Sequence, residues 1–256
     1  MVKLKSMVNS EIKGVFFDYG GIIEDISYDE KFFRKGVGIL THMLNSSGLK
    51  VEEPQLLQWL PDGHRKYMEW VEANNYRELP NREIWTRFLV APAAATSQQK
   101  KLVLEMGEEL SRIYEYYLYR RRPSRMVTQV VKNLFNAGYV IALVSNTMSS
   151  TLIPERLRKL GIDACFSSVV LSVNVGIRKP APGIFETAFK KTGLLAQRCI
   201  YVGDTLSRDV LGSKSAGLKK AVLKRSAVTD DKDSHLQEEV CPDATIQEME
   251  ELYSIL

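Results

Sequence analysis

Four short stretches of this 256-residue chain carry side chains able to act on an anion, and a carboxylate leads them. Asp18 closes the apolar run Gly14-Val15-Phe16-Phe17 and precedes Tyr19-Gly20-Gly21, whose backbone is free enough to turn tightly and let an anion approach. A carboxylate so placed can attack phosphorus. Ser145-Asn146-Thr147 closes a second apolar run and offers a hydroxyl and backbone N–H groups to phosphate oxygens. Lys179 sits in Gly176-Ile177-Arg178-Lys179-Pro180-Ala181-Pro182, where Pro180 restrains it to an extended conformation and Pro182 suits the first turn of a helix. A cation there can hold a nearby carboxylate ionised and balance charge on a phosphate. Asp204 and Asp209, in Gly203-Asp204-Thr205-Leu206-Ser207-Arg208-Asp209, are two acids suited to a hard cation such as Mg²⁺. Each stretch also has an ordinary reading: a turn at Asp18, helix N-caps at Ser145 and Asp204, a solvated loop lysine at Lys179. Their specificity lies in their combination.

The elements that must position these residues follow from periodicity. The runs ending at Asp18, at Asn146 (from Tyr139) and at Asp204 (from Cys199) are short, apolar and polar-tipped, the pattern of strands buried on both faces. Helical patterns over Met126–Ala137, Leu152–Leu160 and Pro182–Thr192 each stop at a glycine, Gly138, Gly161 and Gly193. Alternating strand and helix implies a parallel sheet with right-handed crossovers, and ligands bind beyond the carboxyl ends of such strands. From Ser27 to Arg125 the alternation breaks into helix-like segments with no convincing strand, including Leu102, Met106, Leu110, Ile113 and Tyr117 along one of them. The expected organisation is therefore a Rossmann-like three-layer α/β core over residues 1–26 and 126–256, with an all-helical cap over 27–125. Ser226–Cys241 is polar and acidic, the pattern of a surface loop and weak helix.

Composition narrows the classes. At 45% hydrophobic and 26% charged, the chain is ordinary globular material, and a net charge of +4 is spread along it rather than gathered into a nucleic-acid patch. The arginines at 120, 121, 122 and 125 adjoin Tyr114, Tyr116, Tyr117 and Tyr119, and these tyrosines read as the continuation of a core-facing helix that ends in charge before Pro123. The cysteines, Cys165, Cys199 and Cys241, form no Cys-x-x-Cys pair, so neither a disulfide framework nor a zinc site is expected. Without a signal-peptide pattern or a long apolar run, a cytoplasmic protein that engages neither membrane nor nucleic acid is expected. No oligomeric state is legible.

The four motifs, in this order from residue 13 to residue 225, resemble those of the haloacid dehalogenase-like hydrolases. The resemblance rests on Val15-Phe16-Phe17-Asp18-Tyr19-Gly20-Gly21, Val144-Ser145-Asn146, Arg178-Lys179-Pro180, and Gly203-Asp204 through Asp209. It implies a helical cap inserted after the first motif and a phosphatase acting on a small phosphorylated metabolite. Asp18 would form an aspartyl-phosphate, Ser145, Asn146 and Lys179 would bind the transferring group, and Mg²⁺ would be held by Asp18, the Gly20 carbonyl and Asp204. Asp209 would orient Lys179 or metal-bound water.

One departure stands out. Most phosphatases of that family carry an aspartate two residues after the nucleophile as general acid and base, and here that residue is Gly20. Losing such a group typically costs roughly 10²- to 10⁴-fold, so alkyl phosphates should turn over slowly unless Glu24, Asp25, His42 or His64 substitutes. The departure opens rival readings. A 2-haloacid dehalogenase also lacks that aspartate but needs no Mg²⁺ and does not usually keep the acidic pair. A phosphonate hydrolase would need a cap lysine, with Lys31, Lys35, Lys50 and Lys66 as candidates. A relative that binds phosphoryl ligands or proteins without turnover would have no chemical need for Asp18. Trp59, Tyr67, Trp70 and Trp85 either line a substrate pocket or pack the insert, and packing is the expectation.

Overall fold

The structure, a computed structural model, describes residues 11–94, 96–225, 233, 236 and 239–256. Most of Ser226–Cys241, read as an acidic surface loop, lies outside the described residues.

The apolar runs are strands of one parallel sheet. Its members in chain order are β1 (Gly14–Phe17), β4 (Val140–Ser145), β5 (Phe166–Leu171), β6 (Cys199–Gly203), β7 (Lys220–Lys224) and β8 (Ala244–Ile246), and their spatial order is β5-β4-β1-β6-β7-β8. Two further strands, β2 (Glu24–Ser27) and β3 (Arg120–Pro123), form a separate pair. The sheet is therefore the parallel α/β arrangement the alternation implies. Strand β1 is the pivot: Phe17 lies beside Leu143 of β4 on one side and Val202 of β6 on the other. The chain places β4 and β5 on one side of β1 and then crosses back to place β6, β7 and β8 on the other, a topological switch, and Asp18, Ser145 and Asp204 end at its carboxyl edge.

Helices cover the sheet because its strands are apolar on both faces. Phe16, Ala142, Val144, Val170 and Tyr201 alternate onto one face and pack with Ile184, Phe185 and Ala188 of α8 (Gly183–Thr192). Helix α5 (Val127–Asn136), which buries Val127, Val130, Val131 and Leu134, also packs on β4. Completing the layers are α6 (Leu152–Leu160), the short α7 (Ser172–Val175) and α9 (Leu211–Ser215).

The described residues fall into two compact units, one within Met1–Ile26, Arg121–Asn146 and Pro154–Leu256, the other within Ser27–Arg120 and Thr147–Ile153. The second is built from α1 (Glu30–Ser46), α2 (Glu53–Ala73), α3 (Asn81–Ile84) and α4 (Ser97–Leu118), with a π-helical turn over Trp85–Leu89. Its helices begin where the sequence supplies caps: Asp29 accepts from Phe32 N at 2.8 Å, and Thr96 and Gln99 form a reciprocal capping box. Gly63 is required by close approach, because a Cβ there would lie 2.5 Å from the carbonyl oxygen of Phe88. Tyr67 and Trp85 are fully buried in this unit's core, Trp59 and Trp70 pack against it, and Trp85 Nε1 donates to Ser111 Oγ at 2.8 Å. These aromatic side chains hold the helices together, as expected of them.

Two local readings are corrected. Helix α4 buries Val103, Gly107, Leu110, Ser111 and Tyr114, one position round from the apolar stripe Leu102, Met106 and Ile113, which packs at its margin. It stops at Leu118, and Arg120–Pro123, inside the stretch read as strand-free, is strand β3. Three arginines and a proline carry no strand signal of their own; pairing with the distant β2 decides their conformation. Arg120 is engaged within its own unit, 2.5 Å from Asp29 and stacked 4.8 Å over the Phe32 ring. No described helix is long and apolar enough to cross a membrane.

Candidate active site

At the switch point, Asp18 follows the last residue of β1, with its N–H bonded to Val202 O of β6 at 2.9 Å. Asp204 follows β6, and Asp209 returns toward it from the π-helical turn Leu206–Val210. All three acids are buried, and ligand oxygens of the three lie within 4.8 Å of one another. Lys179, also buried, is the cation among them: its Nζ is 2.8 Å from Asp18 Oδ1 and 2.6 Å from Asp209 Oδ1.

Lys179 is held by its backbone as well as its ammonium. Asn146 donates from Nδ2 to Lys179 O at 3.0 Å and accepts from Lys179 N at 2.9 Å, so the ends of two motifs are locked by one amide side chain. The Lys179-Pro180 peptide is cis. Ser145 is buried at the end of β4, next to β1. Asp209 spends its second oxygen on Thr205, accepting from its N–H at 3.0 Å and from its hydroxyl.

The electrostatics divide the acids. Burial acts most strongly on Asp18 and pushes its carboxyl up, with the Lys179 ammonium opposing. Asp209 feels the same burial, but the charges of Lys179 and Arg208 and the hydrogen bonds from Lys179 and Thr205 outweigh it and hold its carboxyl low. Asp204 is pushed well above the ordinary range by burial and then by the negative charges of Asp209 and Asp18. Its Oδ2 is buried with no hydrogen-bond partner. Gly21 cradles that oxygen: at φ 73°, its missing Cβ would fall 2.1 Å from it. An orphaned carboxylate oxygen, close to a second carboxylate, is the donor set a hard divalent cation fits. Asp209 already spends both of its oxygens, one on Lys179 and one on Thr205.

The proposed substitutes for the missing acid are accounted for differently. Glu24 is fully buried and accepts from Tyr19 Oη at 2.5 Å while paired with Arg156. Asp25 accepts from Ser124 Oγ at 2.6 Å and pairs with Lys224 at 3.0 Å. His42 on α1 and His64 on α2 belong to the helical unit, His42 exposed and His64 half-buried against Tyr114. Around Gly20 itself a Cβ would meet, among the described residues, nothing nearer than Ile26 Cδ1 at 4.0 Å. Lys31, Lys35, Lys50 and Lys66 are all exposed.

Two residues of the site were not singled out from the sequence. Tyr201, buried in β6, accepts from Lys179 Nζ at 2.8 Å and donates to Val144 O at 2.8 Å, so it braces the lysine from below. A lone phenol in an aliphatic strand, three residues before Asp204, was the available signal. Lys224, buried at the end of β7, donates to Gly21 O at 2.9 Å and anchors the glycine turn beyond Asp18. Its signal was a lysine closing the apolar run Ala221-Val222-Leu223.

This fold, with a lysine bridging two carboxylates at its switch point, defines a hydrolase class, and comparison with known proteins agrees. The sequence model of the haloacid dehalogenase-like hydrolases matches residues 58–223, and the chain belongs to that family. The matched span takes in Ser145, Lys179, Asp204 and Asp209 and starts after Asp18. The chain is 26% identical over 245 residues to a glyceraldehyde 3-phosphate phosphatase of Methanothermobacter thermautotrophicus, covering 96% of this chain and 100% of that one. It is 32% identical over 133 residues to the pyrophosphatase PpaX of Halalkalibacterium halodurans, covering 50% of this chain and 61% of that one. Among solved structures, a 2-haloacid dehalogenase of Pseudomonas syringae shares the fold with a TM-score of 0.63 at 19% identity, over 95% of this chain and 97% of that one.

Proposed function

We propose that the protein is a Mg²⁺-dependent phosphatase of a small phosphorylated metabolite, working through a phosphoryl group carried on Asp18. The observation that carries this reading is the pairing of Asp18 with Lys179 beside an Asp204 oxygen that nothing else satisfies. A dehalogenase would need no metal beside that oxygen, whereas a phosphate dianion brings charge that a metal can share. The relatives named as phosphatases support the same choice.

Asp18, whose ionised form Lys179 favours against the effect of burial, attacks phosphorus in line with the ester bond. The new P–O bond forms as the old one breaks, and the leaving oxygen departs with the electron pair. Lys179, itself fixed by Asp209, Tyr201 and Asn146, balances charge on the transferring group, and Ser145 and Asn146 bind its oxygens. Asp18, Asp204 and the Gly20 carbonyl would hold Mg²⁺, which supplies electrophilic stabilisation of the phosphoryl oxygens. Water then cleaves the aspartyl-phosphate and restores the carboxylate.

Gly20 sets the selectivity of this scheme. With glycine rather than an acid at position 20 to protonate the departing oxygen, leaving groups that are weak bases, such as phenolates, carboxylates or phosphate, depart readily while alkoxides do not. The test is phosphate release from a panel of esters spanning leaving-group basicity, with and without Mg²⁺. Metal-dependent release that slows steeply as the leaving group becomes more basic supports the reading; metal-independent release, or none, removes it.

A further inference from the structure

The segment that follows Asn146 is held by carboxylates from an unexpected source. Thr147–Ile153 groups with the helical unit rather than with the sheet on either side of it. Within that unit, Glu115 of α4 accepts from Met148 N at 2.7 Å, Ser149 N at 3.1 Å and the Thr147 hydroxyl at 2.5 Å. Glu108, two turns earlier on the same helix, accepts from Ser150 N and Thr151 N, both at 3.1 Å, and from the hydroxyls of Ser149 at 2.7 Å and Thr151 at 2.8 Å. Four consecutive backbone N–H groups, from 148 to 151, thus converge on two side chains of one helix. Successive amides opening a helix, here α6, form a concavity that attracts anions. In this protein the anions are built in. The seven-residue spacing puts both acids on one face of α4, and burial of Glu108 is outweighed by its bonds to Ser149, Ser150 and Thr151, which hold its carboxyl low.

We propose that Glu108 and Glu115 are positioning residues for the phosphate-binding end of β4. They fix the peptide that begins at Thr147, one bond beyond Asn146. The Asn146 side chain in turn clamps the main chain of Lys179, whose ammonium meets Asp18. The effect on turnover rests on the phosphatase reading; the mechanical link does not.

Two readouts separate them. In Glu108→Gln and Glu115→Gln, amide hydrogen exchange should accelerate about tenfold or more at residues 148–151, and also at the Lys179 N–H bonded to Asn146. An acceleration confined to 148–151 would show a purely local structural role and overturn the proposal, whether or not the protein turns over an ester. On an aryl phosphate, kcat should fall about tenfold with KM changed less than about threefold, the pattern of a misplaced reacting group rather than lost binding. Added acetate should restore part of kcat in Glu115→Ala, by refilling the nest, and leave the unmodified protein unaffected. Unmodified protein that releases no phosphate sinks the phosphatase reading, and the exchange result at Lys179 then decides this one. An active protein whose variants keep kcat and exchange unchanged sinks this inference alone.

Discussion

Replacing Gly20 by aspartate asks whether one missing side chain limits the chemistry. The substitution is sterically open: Gly20 is not at positive φ, and the new Cβ would have only Ile26 Cδ1 near it, at 4.0 Å. The neighbouring Gly21 is the reverse case, with φ 73° and a Cβ that would strike Asp204 Oδ2, so Gly21→Ala should disable the site and serves as a control. A positioned general acid and base is worth roughly 10²- to 10⁴-fold, and the gain should fall on substrates whose leaving group needs a proton. The assay compares kcat/KM for an alkyl ester, glycerol phosphate, and an aryl ester, 4-nitrophenyl phosphate, at saturating Mg²⁺. Gly20→Asp should raise the alkyl rate about a hundredfold or more and the aryl rate less than about tenfold, so that their ratio shifts. An unmodified protein that already hydrolyses both esters at similar rates would refute the reasoning, because another group would then be supplying the proton. So would a folded Gly20→Asp variant with an unchanged ratio.

Other outcomes follow from the same geometry. Asp204 has its carboxyl raised by burial, so ionising it costs stability as pH climbs above the ordinary carboxylate range. Asp204→Asn should therefore raise the melting temperature of the metal-free protein at neutral pH, by about 2–4 °C per kcal/mol relieved, and abolish stabilisation by Mg²⁺ in calorimetry. Tyr201→Phe removes the phenol oxygen beneath Lys179 and should lower kcat by about three- to tenfold with little change in KM, roughly the loss of one hydrogen bond. Glu108 has its carboxyl lowered, so its contribution is complete above the ordinary carboxylate range and is lost as pH falls through its folded value. Denaturant titrations between about pH 6 and about pH 3 should accordingly show a shallower acid loss in Glu108→Gln than in the unmodified protein.

How much of this was legible in the sequence depended on whether the signal was local. Asp18, Ser145 and Asp204 end runs of buried residues, and strands buried on both faces announce themselves by unbroken apolarity. The helices over Leu152–Leu160 and Gly183–Thr192 were marked by the glycines after them. Strand β3 was not, since Arg120–Pro123 takes its conformation from β2, about a hundred residues away in the chain. The brace by Tyr201 and the anchor by Lys224 were hidden for a related reason: their partners, Lys179 and Gly21, are remote in sequence, and only the sheet order brings them close. Glu24 illustrates the converse. Its nearness to Asp18 in sequence made it a candidate proton donor, but its partners Tyr19 and Arg156 fix it in the core. The grip of Glu108 and Glu115 on the loop after β4 had no sequence signature, because both look like ordinary helix-surface acids.

The measurement that bears most directly on the central claim is phosphate release from an aryl phosphate by the unmodified protein and by Asp18→Asn, each with Mg²⁺ and with a chelator. The account predicts release that requires both the metal and the Asp18 carboxylate, with the phosphoryl group trapped on the unmodified protein by acid quench and absent from the variant. Release that continues in Asp18→Asn, or that ignores the chelator, would contradict it.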